Sequence, residues 1–573
     1  MPESFSFLIV RLQMEKEKLL GWAILAKISD DDEKMAVSGF KVNRHTVIDA
    51  LREIQILLLD SSRLHERYKL NLVPAPPDSH HVAQLPLKDD YSTLQKKALS
   101  FIDKTRRYPR RLQWAAFDKA HFEYLLSDLQ SLNDNMMGFL DVYERNRHFQ
   151  MQEATFMQIL QVNNKMHDLF ELMHSLKESA STDDNDERRS AYKDRIIRMT
   201  RFKAVSIAVE TGSEDASSTA DSSLRSKTDI PGSEIAFHKL KNLFLDTEER
   251  PLRSLATLSS NDEIPVWIEW RYYEEVFSED YDDNDDDGQS SPIPPPFISQ
   301  RISRLSRLLS DQEKPVEFLV PECIGYVHDE DWSRFGVVFK SLSPFAGTVG
   351  HFSTPITLLQ LLSNATVNKP SLTTRVRIAH MVANSIWYLH ATNWLHKGLR
   401  SENIVFERGS DVRNEKPFLC GFDYSRPANI GEETERPLEN LLHDMYRHPK
   451  VQFDVPREGR SGFNKLHDIY SLGVVLYEIA IWKPIVKVIL GDDGASPIKA
   501  SLAKSVQSCL LTAEKIALLE GEAGDVVASA VRVCLDGSLM NPRDDSMSGA
   551  DSNARLQLEF GEKVVSVLKG ISI

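Results

Sequence analysis

The chain of 573 residues lacks the usual marks of a secreted, membrane-spanning or metal-binding protein. Its four cysteines lie far apart and include no C-x-x-C pair, which excludes a disulfide framework and a zinc site built on cysteine. No run approaches the roughly 18 apolar residues of a membrane span, and the start of the chain becomes charged too early for a secretory signal. The sequence therefore predicts a cytoplasmic protein.

The chain also lacks an excess of positive charge. It carries 84 acidic against 69 basic residues, a formal net charge of −15. Binding to nucleic acids needs Lys and Arg on the phosphates, so no nucleic-acid partner is expected. Two basic runs, RRYPRR (106–111) and RRSAYKDRIIRMTRFK (188–203), leave open a salt-sensitive contact with anionic membranes. Solvated helix faces are the alternative for both runs.

Residues 1–200 predict an all-α helical bundle. Several segments carry apolar residues at alternating steps of three and four, which is the spacing of one helix face. One such stripe is formed by Trp114, Phe117, Leu125, Leu129 and Leu132. The end of this region, acidic and then basic, predicts a surface helix that leaves the bundle.

After a polar linker predicted at 201–234, the sequence changes to short, partly alternating runs. In residues 235–345 these runs predict strands, with one helix at 298–311 preceded by an acidic, proline-rich insert at 278–297. From 346 to 573 helical patterns dominate. The predicted fold class is therefore multidomain, with an α+β part after the bundle.

Several motifs of this second part resemble, in order and spacing, those of protein kinases. The stretch HKGLRSEN resembles the catalytic loop H-R-D-L-x-x-x-N, with His396 and Asn403 at the matching positions. GFD resembles the metal-binding D-F-G. In HDIYSLG, Asp468 falls where the family braces the catalytic loop. The resemblance implies the bilobed protein-kinase fold.

The residues that phosphoryl transfer needs are absent from these positions. Kinases use an aspartate as base, a second aspartate for Mg²⁺ and a lysine on the phosphates. Gly398 stands at the base position and Gly421 at the metal position, and neither can accept a proton or ligate a cation. Arg271 lies near the lysine position, but its planar fork does not replace a compact ammonium. Asp423, two residues late in GFD, would reach a metal only if its loop were shifted.

The first lobe lacks further parts of a nucleotide site. The turn FLDTEERP (244–251) has no glycine, and the helix at 298–311 has no glutamate to pair with a cation. Its arginines at three-residue spacing, Arg301, Arg304 and Arg307, predict a solvated face. The chain is therefore expected to be a pseudokinase, with no catalytic residue, no metal and no bound ATP. An atypical active kinase that binds ATP is the alternative.

The first part of the chain resembles the HeLo domain of fungal prion-inhibition and propagation proteins. That family shows a leucine-rich helix ending in Trp-Gly, a basic-Tyr-Gly turn and an R-W-A…D-K-x-x-F helix. The matching residues here are Trp22, Tyr68, Arg111, Trp114, Asp118, Lys119 and Phe122. IEWRYYE and HKGLRSENIVF also resemble the degenerate kinase domains that are often joined to this module.

This resemblance implies signalling of the fungal incompatibility or cell-death type, in which the pseudokinase controls the bundle. It implies protein partners on both modules, leaves a homo-oligomer open, and limits any membrane contact to the periphery. HeLo domains usually begin with an apolar helix that inserts into the bilayer. This chain is expected to start at the following helix, through truncation or through loss of the insertion step.

Overall fold

The computed structural model divides the chain into two compact units, Met1–Asp183 and Asp184–Ile573. In the first unit the structure describes residues 15, 18–19, 124, 127–133 and scattered positions from 152 to 173. In the second unit it describes residues 187–211, 232–244, 251–259, 263–274, 294–341, 355–364, 368–407, 416–422, 425–428, 439–455, 462–491, 498–539 and 549–571. The seven residues that carry the HeLo resemblance, Asp423, and residues 278–293 of the insert lie outside the described residues.

The described residues of the first unit are helical except at 164–165. Their apolar side chains form a buried core that includes Leu129, Phe156, Met157, Leu160, Leu169 and Leu172. The carboxamide of Asn133 joins two distant segments, because its Nδ2 donates to the backbone oxygen and to Oε2 of Glu15, each at 2.9 Å. For these residues the structure agrees with the predicted all-α character.

A long helix, α1 (Glu187–Thr211), begins the second unit. It crosses residue 200, where the sequence places the end of the bundle, and it includes the first residues of the predicted linker. The prediction of a surface helix is wrong, because Met199, Phe202 and Lys203 are all buried. The sequence did not reveal this because the helix mixes charged with apolar residues and has no clear apolar face.

A five-stranded antiparallel sheet follows, and its strands stand in the order β1-β2-β3-β5-β4. The strands are β1 (Leu240–Phe244), β2 (Arg253–Ser259), β3 (Glu263–Tyr272), β4 (Cys323–Asp329) and β5 (Arg334–Lys340). One face of the sheet is an apolar core formed by Ala256, Leu258, Val266, Ile268, Trp270, Val327 and Val338. Because side chains alternate between the two faces of a strand, Arg253 and Glu269 lie on the opposite face.

Helix α2 (Pro296–Leu309) lies between β3 and β4 in the chain and packs on β4. Proline suits the first turn of a helix, where its missing N–H is not needed. The buried side chains recur at helical spacing, at Ile298, Ile302, Leu305 and Leu309. The structure thus confirms the helix predicted at 298–311 and the strands predicted around it. We call residues 232–341 the sheet half of the second unit.

Residues 355–571 form the helical half. Its longer helices are α4 (Leu372–Ala391), α6 (Lys465–Ile481), α8 (Ala500–Leu510), α9 (Ala513–Ala523), α10 (Asp525–Asp536) and α11 (Gly549–Phe560). Shorter helices are α3 (Leu358–Ser363), α5 (Leu441–Asp444), α7 (Ile485–Leu490) and α12 (Ser566–Gly570), the last preceded by a π-helical turn at Gly561–Val565.

Helix α6 is buried over almost its whole length and packs against α4 and α10. A Cβ on Gly473 would lie 2.9 Å from Cβ of Cys534, so the glycine allows α6 and α10 to approach closely. Asn464 begins α6 as a capping box with His467, which satisfies the first backbone N–H groups. This buried helix is a fixed support for the loops beside it.

Short strands connect these helices. Strands β6 (Ile356–Thr357), β8 (Ile404–Phe406) and β9 (Phe418–Leu419) form one small antiparallel sheet, and β7 (Trp394–Leu395) pairs with β10 (Arg426–Pro427). The loop from β7 to β8 and the segment after β9 carry most of the kinase-like motif residues.

Candidate functional site

The loop after β7 is held by the carboxylate of Asp468, which lies in the first turn of α6. Oδ2 of Asp468 accepts a hydrogen bond from the backbone N–H of His396, and Oδ1 accepts one from the N–H of Lys397, both at 2.8 Å. Nε2 of His390 lies 3.2 Å from Oδ2. Asp468 therefore contacts the loop that the sequence predicts it to brace.

Burial and hydrogen bonding oppose each other at this carboxylate. Burial alone would raise the pKa of Asp468, but the hydrogen bonds from His390 and from the loop lower it below its usual range. Burial also lowers the pKa of His390. The pair is therefore a neutral imidazole that donates its Nε2–H to a carboxylate, and it fixes α4 to α6.

His396 is a wholly buried part of the loop. Its ring packs against Phe422, with 4.5 Å between the ring centroids. Its Nδ1 accepts a hydrogen bond of 3.2 Å from the backbone N–H of Gly398. The side chain thus joins the loop after β7 to the segment after β9.

Asn403 connects both loops of the site and is itself 1% exposed. Its Nδ2 donates to the carbonyl oxygen of Gly398 at 2.7 Å, and its own backbone oxygen accepts from the N–H of Cys420 at 2.9 Å. Its Oδ1 accepts from Nη2 of Arg253 at 2.9 Å. Both polar ends of the carboxamide are therefore engaged within the protein.

Gly398 and Gly421, which the sequence predicts at the base and metal positions, both lie against Asn403. Gly421 has a φ of +77°, which favours glycine, and a Cβ there would overlap the carboxamide of Asn403. A Cβ on Gly398 would lie 2.5 Å from the carbonyl oxygen of Gly421. This arrangement has no room for an aspartate at either position.

Two charged residues of the sheet half complete the site. Arg253 and Glu269 stand opposite each other on β2 and β3, and Nε of Arg253 lies 2.8 Å from Oε1 of Glu269. Nη1 of Arg253 also donates to the backbone oxygen of Glu402 at 2.8 Å. Oε2 of Glu269 accepts from the N–H of Gly421 at 2.9 Å. We call Arg253, Glu269, Asn403 and Gly421 the cleft network.

Within the cleft network, the positive charge of Arg253 is stabilised by the negative charge of Glu269. Burial disfavours the charge of Arg253, but the attraction of Glu269 raises its pKa. The guanidinium also lies 5.9 Å from the ring centroid of Trp267, within reach of a cation–π contact. Burial and the nearby charge of Glu269 raise the pKa of the Cys420 thiol well above its usual value, so Cys420 is not an activated nucleophile.

Sequence reasoning missed Arg253 and Glu269, although one signal was present. The letters V-W-I-E at 266–269 match the kinase motif V-A-I-K, with Glu269 in the place of the lysine. Arg271 lies two residues further along the same strand and is 4% exposed. It is therefore Glu269 that contacts Arg253 and Gly421.

The cleft network makes contacts that join the two halves of the second unit. The carboxylate of Glu269 and the guanidinium of Arg253 each contact both the opposite strand and a loop of the helical half. Within the described part of the chain, no three His, Cys, Asp or Glu side chains are grouped to hold a metal ion. None of the described helices is long and apolar enough to span a bilayer.

Comparisons with known proteins find local similarities for this chain. Residues 1–191 match the HeLo family model, described as prion-inhibition and propagation. The chain is 26% identical over 107 residues to the serine/threonine-protein kinase TIO of Arabidopsis thaliana. It is 26% identical over 133 residues to the probable serine/threonine-protein kinase kinY of Dictyostelium discoideum. To the serine/threonine-protein kinase PRR1 of Saccharomyces cerevisiae it is 28% identical over 111 residues.

These similarities are local. They cover 19%, 23% and 18% of this chain, and 7%, 22% and 20% of the three kinases, respectively. The chain thus spans less than a quarter of the length of each relative. The comparisons confirm the predicted combination of a HeLo domain with a kinase-like part.

Proposed function

We propose that this chain is a non-catalytic signalling protein in which a pseudokinase controls a HeLo-type helical bundle. The process is fungal incompatibility or cell-death-type signalling, as the family resemblance implies. The protein acts in the cytoplasm or at the periphery of a membrane. It works through protein partners, including further copies of itself, and without ATP or Mg²⁺.

The architecture of the second unit supports a bilobed protein-kinase-like fold. Five antiparallel strands in the order β1-β2-β3-β5-β4, with α2 inserted after β3, precede a helical half built around a buried helix. The two halves meet at the cleft network. The similarity to proteins that are named kinases points to the same fold family.

The observation that carries the pseudokinase proposal is the cleft network. A kinase places a lysine on the phosphates and an aspartate on the metal ion. Here the carboxylate of Glu269 stands at the lysine position and would repel phosphate oxygens. The only charge that could offset it within this network, Arg253, is already paired with Glu269 at 2.8 Å. Nucleotide binding would therefore have to break contacts that stabilise the fold.

The expected loss of rate supports the same conclusion. A general base is typically worth about 10²–10⁴ in rate. Gly398 and Gly421 remove the base and a metal ligand together, and Glu269 reverses the charge that faces the phosphates. Because these losses fall on one transition state, useful phosphoryl transfer is not expected.

Thermal unfolding of the full chain with ATP, with and without Mg²⁺, tests this proposal. A ligand present at 100 times its dissociation constant stabilises a protein by about 2.7 kcal/mol, so a bound nucleotide would raise the Tm measurably. We expect no rise at millimolar Mg-ATP, and no transfer of labelled γ-phosphate to the chain or to generic substrates.

The matched variant for this test is Asp423→Asn, which removes the remaining carboxylate of GFD. If the wild type incorporated phosphate and Asp423→Asn did not, the chain would be an atypical active kinase instead. Incorporation that is equal in both proteins and is lost on further purification would indicate a contaminating kinase and leave the proposal standing, whereas equal incorporation that persists would contradict it.

A further inference from the structure

Helix α1 lies wholly in the second compact unit, and only three residues separate it from the first unit in the chain. It begins at Glu187, within the residues that match the HeLo model, and it ends at Thr211 inside the second compact unit. Its 25 residues span about 37 Å at 1.5 Å per residue. The contacts of α1 with the rest of the second unit therefore lie close, in the chain, to the residues that match the HeLo model.

The first of these contacts is made by Arg195. Its Nε lies 2.7 Å from Oε1 of Glu317, and its Nη1 donates to the hydroxyl oxygen of Tyr388 at 3.1 Å. Glu317 lies in the sheet half, between α2 and β4, whereas Tyr388 lies on α4 of the helical half. One side chain of α1 thus bridges the two halves.

The second contact lies six residues further along the helix, about 9 Å away along its axis. Nη1 of Arg201 lies 2.9 Å from Oδ1 of Asp311 and 3.0 Å from Oε2 of Glu313. Asp311 lies two residues after the end of α2 and its side chain is 10% exposed, whereas Glu313 is largely exposed. The pair with Asp311 is therefore the stronger of the two, because it is less screened by water.

A third ion pair joins Glu210 of α1 to Arg304 of α2, with 3.0 Å between Oε2 and Nη1. The prediction that the arginines of α2 form a solvated face is therefore wrong for Arg304, which pairs with α1. The sequence alone could not reveal this partner, because Glu210 lies 94 positions earlier in the chain.

Between the ion pairs, α1 is anchored by an aromatic contact. The rings of Phe202 and Phe318 meet edge to face with 4.6 Å between their centroids, and both are buried. The backbone oxygen of Phe318 accepts a hydrogen bond of 2.8 Å from Oγ of Ser385 on α4. The anchor therefore also touches both halves. We call Arg304, Asp311, Glu317, Phe318 and Tyr388 the seat of α1.

One buried side chain weakens this docking. Lys203 is 1% exposed, and burial lowers its pKa to about 7. Burial and then repulsion by Lys203 also lower the pKa of Lys465, which starts α6. A methionine would fill the same space without the cost of removing an ammonium from water. The ion pairs at the edges of α1 thus stabilise its docking, whereas the lysine in its buried face destabilises it.

We propose that α1 is the output element of the second unit, and that its release from the seat frees the HeLo-matching residues. This inference rests on the proposed control of the bundle by the second unit, but it does not depend on nucleotide chemistry. The seat combines residues of both halves, so a change in their relative position alters the distances that α1 must bridge. The cleft network also fixes this position, because its contacts join the same two halves.

Hydrogen exchange of the full chain, measured by mass spectrometry at pH 7, tests the seat. Arg201→Glu replaces two attractions by two repulsions, and we expect amides in residues 196–208 to exchange about tenfold faster or more. The matched control is Arg198→Glu, because Arg198 is exposed on the same helix and carries the same charge. We expect the control to exchange like the wild type, and Arg201→Glu combined with Asp311→Arg to recover most of the protection.

Lys203→Met provides a variant with the opposite expected result, which keeps the test decisive even if Arg201→Glu folds poorly. Exchange in residues 196–208 should become slower, since the cost of burying the lysine is removed. Equal exchange in Arg201→Glu and Arg198→Glu, together with no slowing in Lys203→Met, would overturn the proposed seat.

The response of the bundle is read from the same samples, as the exchange of peptides from residues 1–183 and as the sedimentation coefficient of the chain. We expect both to change in Arg201→Glu and not in Arg198→Glu. A loosened α1 with an unchanged first unit would overturn its role as the output element. Phosphate transfer by the wild type would contradict the pseudokinase proposal alone, because the exchange measurements use no nucleotide.

Discussion

Nη2 of Arg253 lies 2.9 Å from Oδ1 of Asn403, and this contact joins the sheet half to the helical half. In the catalytic loop of protein kinases, which the stretch HKGLRSEN resembles, the asparagine holds a Mg²⁺ ion. Here the oxygen of Asn403 accepts from a guanidinium that is part of the chain itself. The guanidinium of Arg253, whose charge is neutralised by Glu269, thus contacts Oδ1 of Asn403, the atom that a metal ion would need as its ligand.

The first prediction concerns the space around Gly421. Gly421→Ala should lower the free energy of unfolding by about 2–4 kcal/mol, because a Cβ there overlaps Asn403 and the φ of +77° is unfavourable for alanine. Gly537→Ala is the control, since Gly537 has a φ of +73° and a Cβ added there would meet nothing within 4 Å. We expect it to cost only about 1 kcal/mol. Equal losses of unfolding free energy in the two variants, measured by urea denaturation, would contradict the prediction, because they would show that the side chain of Asn403 moves aside at no energetic cost.

The second prediction concerns the charge pair of the cleft network. Arg253→Met should destabilise the second unit by about 3 kcal/mol, because it leaves Glu269 partly buried without its cation. Adding Glu269→Gln should recover part of this loss, which a double-mutant cycle measures. Lys340→Met is the matched control, since Lys340 and Glu322 form an ion pair in which both side chains are more than half exposed. An exposed pair is worth less than about 1 kcal/mol, so a similar loss in both variants would contradict the prediction.

The third prediction concerns Lys203 and high pH. Its pKa is lowered by burial from 10.5 to about 7, so the unfolded chain binds a proton between these values that the folded chain does not. Folding is therefore penalised as the pH falls from 10.5 to 7, and the penalty is complete below pH 7. Lys203→Met should be more stable than the wild type by on the order of 4 kcal/mol at pH 7, and this difference should shrink towards pH 10. A difference independent of pH would contradict the lowered pKa.

The fourth prediction concerns Glu478 and the opposite pH range. Its Oε1 accepts hydrogen bonds from Tyr446 at 2.7 Å and from the N–H of Ile485 at 2.6 Å, and burial raises its pKa to about 7. The folded chain thus keeps a proton that the unfolded chain loses above pH 4.5. Stability contributed by this group falls as the pH rises from 4.5 to 7, and the full cost remains above pH 7.

Glu478→Gln should therefore match the wild type near pH 4.5 and exceed its stability by about 2–3 kcal/mol above pH 7. Thermal unfolding at a series of pH values measures the difference. Glu514→Gln, on an exposed residue of α9, is the control for the removal of one surface carboxylate. A constant difference for Glu478→Gln would mean that the carboxyl group titrates alike in the folded and unfolded chain.

The sequence by itself determined the regular elements and the positions of the kinase-like motifs. The alternation of Val266, Ile268 and Trp270 predicts β3, and the helical spacing of Ile298, Ile302 and Leu305 predicts α2, because both periods are set by the local backbone. The spacing from His396 to Asn403 likewise predicts a kinase-like loop, and the absence of carboxylates at Gly398 and Gly421 is visible in the letters alone.

Only the tertiary structure decided what fills the cleft and where α1 lies. Arg253 and Asn403 are 150 positions apart, and nothing in RSLATLS distinguishes Arg253 from any other strand arginine until the register of β2 and β3 is known. The basic run that ends at Lys203 looks solvated, because its charge pattern does not reveal partners such as Asp311. Local periodicity depends on neighbours in the chain, whereas the cost of burying a charge depends on which distant residues meet it.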